Sequence, residues 1–565
     1  MNKSLAIKLL ERIDDGNTLL FWACENKMEK LAMKILENID ECNIGHIAKD
    51  GYTALMHACE NKMDLVAMKI LERIDDCNIG QVNKDGYTAL IWACVNFMNS
   101  VAMKILERID ECNIGQVNKD GYTALFYACY GMENVGLKIL ERIDECNIGQ
   151  VNEDGSTALM WACKSDTENV ALKMLERIDE CNIGQVNKNG CTALIIACEN
   201  KMDLVAMKML ERIDNCNIGQ VSEGGYTALI LACANDMENV ALKMLERIDE
   251  CNIINVDGYK NTALILACES KMENVALKML ERIDECNIGK VNHNGDTALI
   301  WSCANKMENV SMKILERIDE CNIGNVSKSG NTALSWSCYN KMENVVMKIL
   351  ERIDECNIGN VSESGNTALS LSCWNKMENV AMKILERINE CNIGQVSKDG
   401  CTALIYACLH DEMENVAMKI LERIDECKIG QITKNGNTAL MFACYNKMEN
   451  VAMKILERID ECNIGQFNKD GCTALIFSCK NCMENVAMKI LERIDECNIG
   501  QVDNHGNTAL IYACYLEMDS VAMKILEKIN KCNIGQVNKY GNTALIYALS
   551  NGMNNVIKRL SNVVI

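Results

Sequence analysis

Residues 53–87 read TALMHACENKMDLVAMKILERIDDCNIGQVNKDGY, and this one stretch decides the fold. Thr53 is placed to cap a helix, its hydroxyl accepting a free backbone N–H. Ala54, Leu55, Ala58 and Cys59 then put small and apolar groups on one helical face, where a neighbouring helix can approach closely. Asn61-Lys62 makes a turn, with Asn61 expected in the left-handed conformation. Met63, Val66, Ala67, Ile70, Leu71 and Ile74 follow at the spacing of an amphipathic second helix, with Asp64, Lys69, Glu72 and Arg73 on its wet side. From Cys77 an extended connection carrying Ile79 and Val82 closes on a Lys-Asp-Gly turn.

The stretch recurs. Its threonine returns at Thr88, Thr123, Thr157 and onward to Thr543, and Thr18 opens the series, giving 16 copies. The steps are 35 residues except one of 34, at Cys129–Met132, and one of 36, at Cys408–Met413. Both exceptions fall between the same two elements, where a loop belongs. A lone helix-turn-helix of this kind cannot bury its apolar face, so neighbouring copies must stack into a continuous core. At about 8–10 Å between packed helices, the copies would form a curved rod roughly 130–160 Å long.

The string Asp85-Gly86-Tyr87-Thr88-Ala89-Leu90-Ile91-Trp92-Ala93-Cys94, followed by Val101 and Ile105-Leu106, resembles the ankyrin repeat. Ala stands for the family's Pro, and Ile, Met or Ser usually for its His. Lys or another residue replaces the Gly between the helices. The resemblance implies an all-α fold: an ankyrin-like helix-turn-helix solenoid of about 16 repeats of 35 residues, with β-turn or finger-like connecting loops. Residues 1–15 are expected to form an N-terminal capping helix. Residues 16–565 then form the solenoid, with the last repeat, richer in polar residues, as a C-terminal cap. Long, near-identical arrays without proline resemble those of giant DNA viruses of protists, which would place the protein in host cytoplasm.

Composition narrows the function. Acidic residues number 79 against 58 basic ones, for a net charge of −21. That balance argues against nucleic-acid binding, which draws on clustered Lys and Arg. No run of 18 apolar residues suggests a membrane span. With five histidines and no H-E-x-x-H, G-x-S-x-G, Walker A or G-x-G-x-x-G string, no enzyme and no cofactor are expected. The 34 cysteines are mostly framework residues: one series in the first helix (Cys24, Cys59, Cys94 and onward) and one after the second (Cys42, Cys77, Cys112 and onward). Equivalent positions about 8–10 Å apart are too distant for a ladder of disulfides. Cys472, Cys479 and Cys482 are the one local cluster that could concern a metal, but zinc sites normally pair two such motifs or add histidine. The methionines opening the second helix (Met28, Met63, Met98) are expected in the core.

The variable positions point to function. Four residues after the threonine stands a large group (Trp22, Trp92, Tyr127, Trp161, Trp301, Trp336, Tyr406), expected to pack between repeats. Two other positions change polarity freely, as exposed positions do. One precedes the threonine (Tyr52, Tyr87, Tyr122, Tyr226). The other follows the first-helix cysteine (Tyr130, Tyr339, Trp374, Tyr445, Tyr515). By the ankyrin resemblance both lie toward the concave side that grips partners, and Tyr and Trp are favoured at binding hot spots. The expected function is a monomeric, non-enzymatic scaffold for one or more proteins. A self-associating structural component is the alternative.

Overall fold

The computed structural model describes residues 18–38, 43–73, 75, 77–165, 167–387 and 389–564. The expected capping helix of residues 1–15 and Cys42 lie outside them. The chain parts into two compact units, Met1–Asn287 and Ile288–Ile565. Each is built from the same repeated pair of helices, and no β-strand forms among the described residues. Within a unit, first helices pack on first helices and second helices on second.

The repeat beginning at Thr88 shows the construction. The Thr88 hydroxyl accepts the N–H of Ile91 at 3.1 Å, capping the first helix, Ala89–Val95. Ala89, Leu90, Ile91, Ala93 and Cys94 are buried. After a tight turn Met98, also buried, leads into the second helix, Asn99–Ile105, which buries Val101, Ala102 and Ile105. Met28 departs from the expected core series and is exposed. The two irregular steps are absorbed between the helices, as expected. One shortens the first helix to Ala124–Ala128, and the other adds a turn of 3-10 helix at Asp411–Met413.

Two local expectations are corrected. In the turn between helices Lys62, not Asn61, is left-handed, with φ 56° against −93°. Asn61 instead ties two repeats together, its side-chain amide donating to the carbonyl of Cys24, in the repeat before, at 3.0 Å. The second helix is also shorter than its apolar spacing suggests. It gives way to a 3-10 stretch, Leu106–Glu111, broken at Arg108 (φ −114°, ψ 54°). From there the guanidinium reaches Asp75 of the preceding repeat and Glu111 of its own. These groups are exposed, so each pair contributes about 0–1 kcal/mol.

The long connection is held from repeat to repeat by hydrogen bonds. Asn113, left-handed at φ 52°, donates to the carbonyl of Gly80 at 2.6 Å. At Gly115 a Cβ would lie 2.2 Å from the backbone oxygen of Glu145 in the next repeat, and one other repeat carries Ile254 at the same position. The tip is folded by Asn118, whose Oδ1 accepts from Asp120 N at 3.1 Å and Tyr122 N at 2.8 Å. Each tip then joins its neighbour: Lys119 N donates to Asp85 O at 2.9 Å and Lys188 N to Asp154 O at 2.8 Å. The second unit repeats the scheme, with Asn463 on Gly430 at 2.7 Å and Lys398 N on Ser364 O at 2.8 Å.

The framework thiols are free and, wherever described, buried. Burial pushes the Cys24 and Cys112 thiols up to about 12, and Cys94 higher still. A native thiol therefore stays neutral where an unfolded one, with a pKa near about 8.5, ionises. Their contribution is complete below about pH 8.5 and declines as pH rises toward about 12, by roughly 1.4 kcal/mol per pH unit for each such thiol in the unfolding unit. Denaturant midpoints are accordingly expected to fall steeply above about pH 9, and a flat profile through about pH 10 would contradict the assignment. Ile70→Ala or Leu71→Ala is expected to remove about 2–5 kcal/mol. Hydrogen exchange should then accelerate in that repeat and its neighbours rather than throughout the array.

Candidate functional site

Along one face of the first helices lie three positions of each repeat: the residue before the threonine, the residue four after it, and the residue after the cysteine. The tyrosines before the threonine are half-buried rather than free. Tyr52 stacks on His57 with ring centroids 4.5 Å apart, and Tyr87 on Trp92 at 4.4 Å. Tyr122 stacks on Tyr127 at 5.3 Å and meets Trp161 edge-on at 5.9 Å. The Tyr87 hydroxyl donates to Asp120 of the next repeat at 3.4 Å. Burial, with the nearby carboxylates Glu60 and Asp85, pushes the Tyr52 phenol up to about 12, so it remains a donor. Tyr226 is half-buried at the same position.

The residues after the cysteine behave otherwise. Tyr130, Tyr339, Trp374, Tyr445 and Tyr515 are all about half exposed, between 49% and 54%. Four of them are held edge-to-face by the large residue of the following repeat. Tyr130 meets Trp161 at 5.8 Å, Trp374 meets Tyr406 at 5.3 Å, Tyr445 meets Phe477 at 5.4 Å, and Tyr515 meets Tyr547 at 5.0 Å. Tyr339 instead leans on Trp336 of its own helix at 5.7 Å. Such pairs add about 0.5–1.5 kcal/mol beyond area burial and fix the rings in place.

The position four after the threonine thus plays two parts. It packs between repeats as expected, but most of its large side chains are only half-buried and share the open surface. In the second unit this surface deepens into a groove of about 630 Å³, walled by Tyr339, Leu371, Trp374, Tyr406 and Phe442. Asp399 and Lys434, paired at 2.9 Å, lie at its rim. Polar atoms buried on this face without a partner include the indole N–H groups of Trp92 and Trp301, and Oδ1 of Asn366. Tyr406 and Phe442 are not legible in the sequence as surface groups. The signal that could have found them is an aromatic after the cysteine matched by another, one repeat later, four after the threonine.

The cysteine cluster is dispersed by its places in the repeat. Cys479 is wholly buried in the first helix, Cys472 precedes the threonine, and Cys482 is exposed in the turn at φ 58°. Among the described residues no three His, Cys, Asp or Glu side chains gather to hold a metal. No helix among them is long and apolar enough to cross a membrane.

The pattern of ankyrin repeats, taken three copies at a time, matches residues 64–150, 133–212, 369–467, 418–499 and 482–563. No curated protein matches the chain. Among solved structures, similarity extends to one chain of a complex between a predatory endopeptidase from Bdellovibrio bacteriovorus and an immunity protein. That match has 21% identity and a TM-score of 0.27, covering 35% of this chain and 98% of that one. With more than half of the sequence matched and the helix pair repeated in both units, the chain belongs to the ankyrin-repeat family.

Proposed function

We propose that the protein is a non-enzymatic scaffold that holds one or more partner proteins on the concave, first-helix face. The observation that carries this reading is the row of half-exposed aromatic side chains after the cysteine, each braced by a second ring. Rigid aromatics give up little entropy on binding and make strong anchors. Tyr52, Tyr87, Tyr122 and Tyr226 support the face from beneath, while Tyr130, Tyr339, Trp374, Tyr445 and Tyr515 make the contacts. The many free, buried thiols suit a reducing compartment, in keeping with a place in the cytoplasm, that of the host if the source is viral.

The triple variant Tyr339→Ala, Trp374→Ala, Tyr445→Ala is expected to keep its helical signal while giving up about 0.5–1.5 kcal/mol for each ring pair removed. It should lose the partner that the parent recovers from lysate. Undiminished capture would overturn the assignment of this face. Tyr87→Ala is likewise expected to lower stability by about 0.5–1.5 kcal/mol through the lost stack, measurable as a shift in denaturant midpoint.

A further inference from the structure

The second unit's groove differs from the rest of this acidic protein in what surrounds it. In the first unit the position after the cysteine is often a carboxylate, as at Glu25, Glu60, Glu199 and Glu269. In the second unit it is Tyr339, Trp374, Leu409, Tyr445, Lys480 and Tyr515 among others, and never an acid. Lysines flank this row on both sides. In the turns, Lys341, Lys376 and Lys447 stand two residues beyond Tyr339, Trp374 and Tyr445, each in the left-handed conformation and exposed. At the loop tips on the other side, Lys398, Lys434 and Lys469 are exposed as well. Two of the six are already paired, Lys376 with Glu412 at 3.1 Å and Lys434 with Asp399 at 2.9 Å. Among the described residues, Lys341, Lys447, Lys398 and Lys469 form no ion pair. An apolar trough is thus bordered by four available ammonium groups, with Glu363 and Asp399 standing among the same loop tips.

We infer that the groove from Tyr339 to Phe442 takes an extended acidic peptide that places a large apolar side chain between successive aromatic rings and its carboxylates against the flanking lysines. The inference rests on the first-helix face being the partner-binding face. Two further observations specify the chemistry. Asn366, whose Oδ1 has no donor, lines the groove, and the non-proline residues of a peptide backbone supply N–H groups, as a phosphodiester backbone does not. Packed first helices repeat at about 8–10 Å, and three residues of polyproline II advance about 9.3 Å. An apolar residue at every third position would therefore meet successive repeats in register, as in other aromatic-lined grooves that bind such helices.

The test is fluorescence anisotropy of the full chain with labelled synthetic peptides. The probe is Leu-Pro-Glu repeated five times. Its comparators are Leu-Pro-Lys repeated five times, a Leu-Pro-Glu scramble without the three-residue period, and oligouridine of 15 nucleotides. The acidic periodic peptide is expected to bind at least about tenfold more tightly than each comparator and to weaken as salt rises. Tyr339→Ala with Trp374→Ala should abolish the difference. Lys341→Glu with Lys398→Glu, both surface changes that leave the core untouched, should reduce binding at least about tenfold with an unchanged circular dichroism spectrum. Equal or tighter binding of the basic peptide or the oligouridine would overturn the inference, as would binding indifferent to both double variants. If the acidic peptide fails while the triple aromatic variant still loses its captured partner, the ligand chemistry falls and the scaffold reading stands. If that variant also keeps its partner, both fall.

Discussion

Every repeat of this protein is completed by hydrogen bonds that cross into the repeat beside it. Helices of seven or eight residues are too short to persist alone in water, and the loops between them carry backbone groups that no element of their own repeat satisfies. The side-chain amide of Asn61 closes over the carbonyl of Cys24, Asn113 over Gly80, and the tip amide of Lys119 over Asp85. The same three links recur within the second unit, at Asn340 on Cys303, Asn463 on Gly430 and Lys398 on Ser364. Apolar burial drives the stacking. These bonds set its register, because a displaced neighbour would break all three links at once.

That constraint divides the surface into positions that are fixed and positions that are free. A side chain at Gly115 would press on the Glu145 carbonyl, and Asn113 cannot be exchanged without losing its link. The residue after the first-helix cysteine is hydrogen-bonded to the next repeat through its backbone carbonyl, as Tyr339 is to Asn375. Its side chain is therefore free to change from Glu60 to Tyr130 to Trp374 without disturbing the stack. The freedom that lets this position vary also makes it available to a partner. Edge-to-face contact with the following repeat then converts a loose surface ring into a rigid one.

The fold was legible because its signals are local and reiterated. The threonine cap, the buried methionine before the second helix and the two cysteine positions can each be recognised within a few residues. What escaped depends on partners a whole repeat away. Asn61 looked like a left-handed turn residue, yet its amide is needed by Cys24, and Lys62 takes the strained conformation instead. At the break, Arg108 reaches Asp75 in the preceding repeat. Within the candidate site, Tyr130 and Tyr339 were identified by their variability. The bracing of Trp374 by Tyr406, and the burial of Tyr87 over Trp92, become visible only when two positions are read together in three dimensions.

Hydrogen exchange at the loop-tip amides of Lys119, Lys188, Lys398 and Lys469 tests the inter-repeat links most directly. Their side chains stand in solvent, and nothing within their own repeat protects them. Protection comparable to that of the first-helix amides is the predicted result, since each N–H is held by the repeat before it. Exchange at the rate of an unstructured peptide, with the helices still protected, would show that the repeats are joined by apolar packing alone.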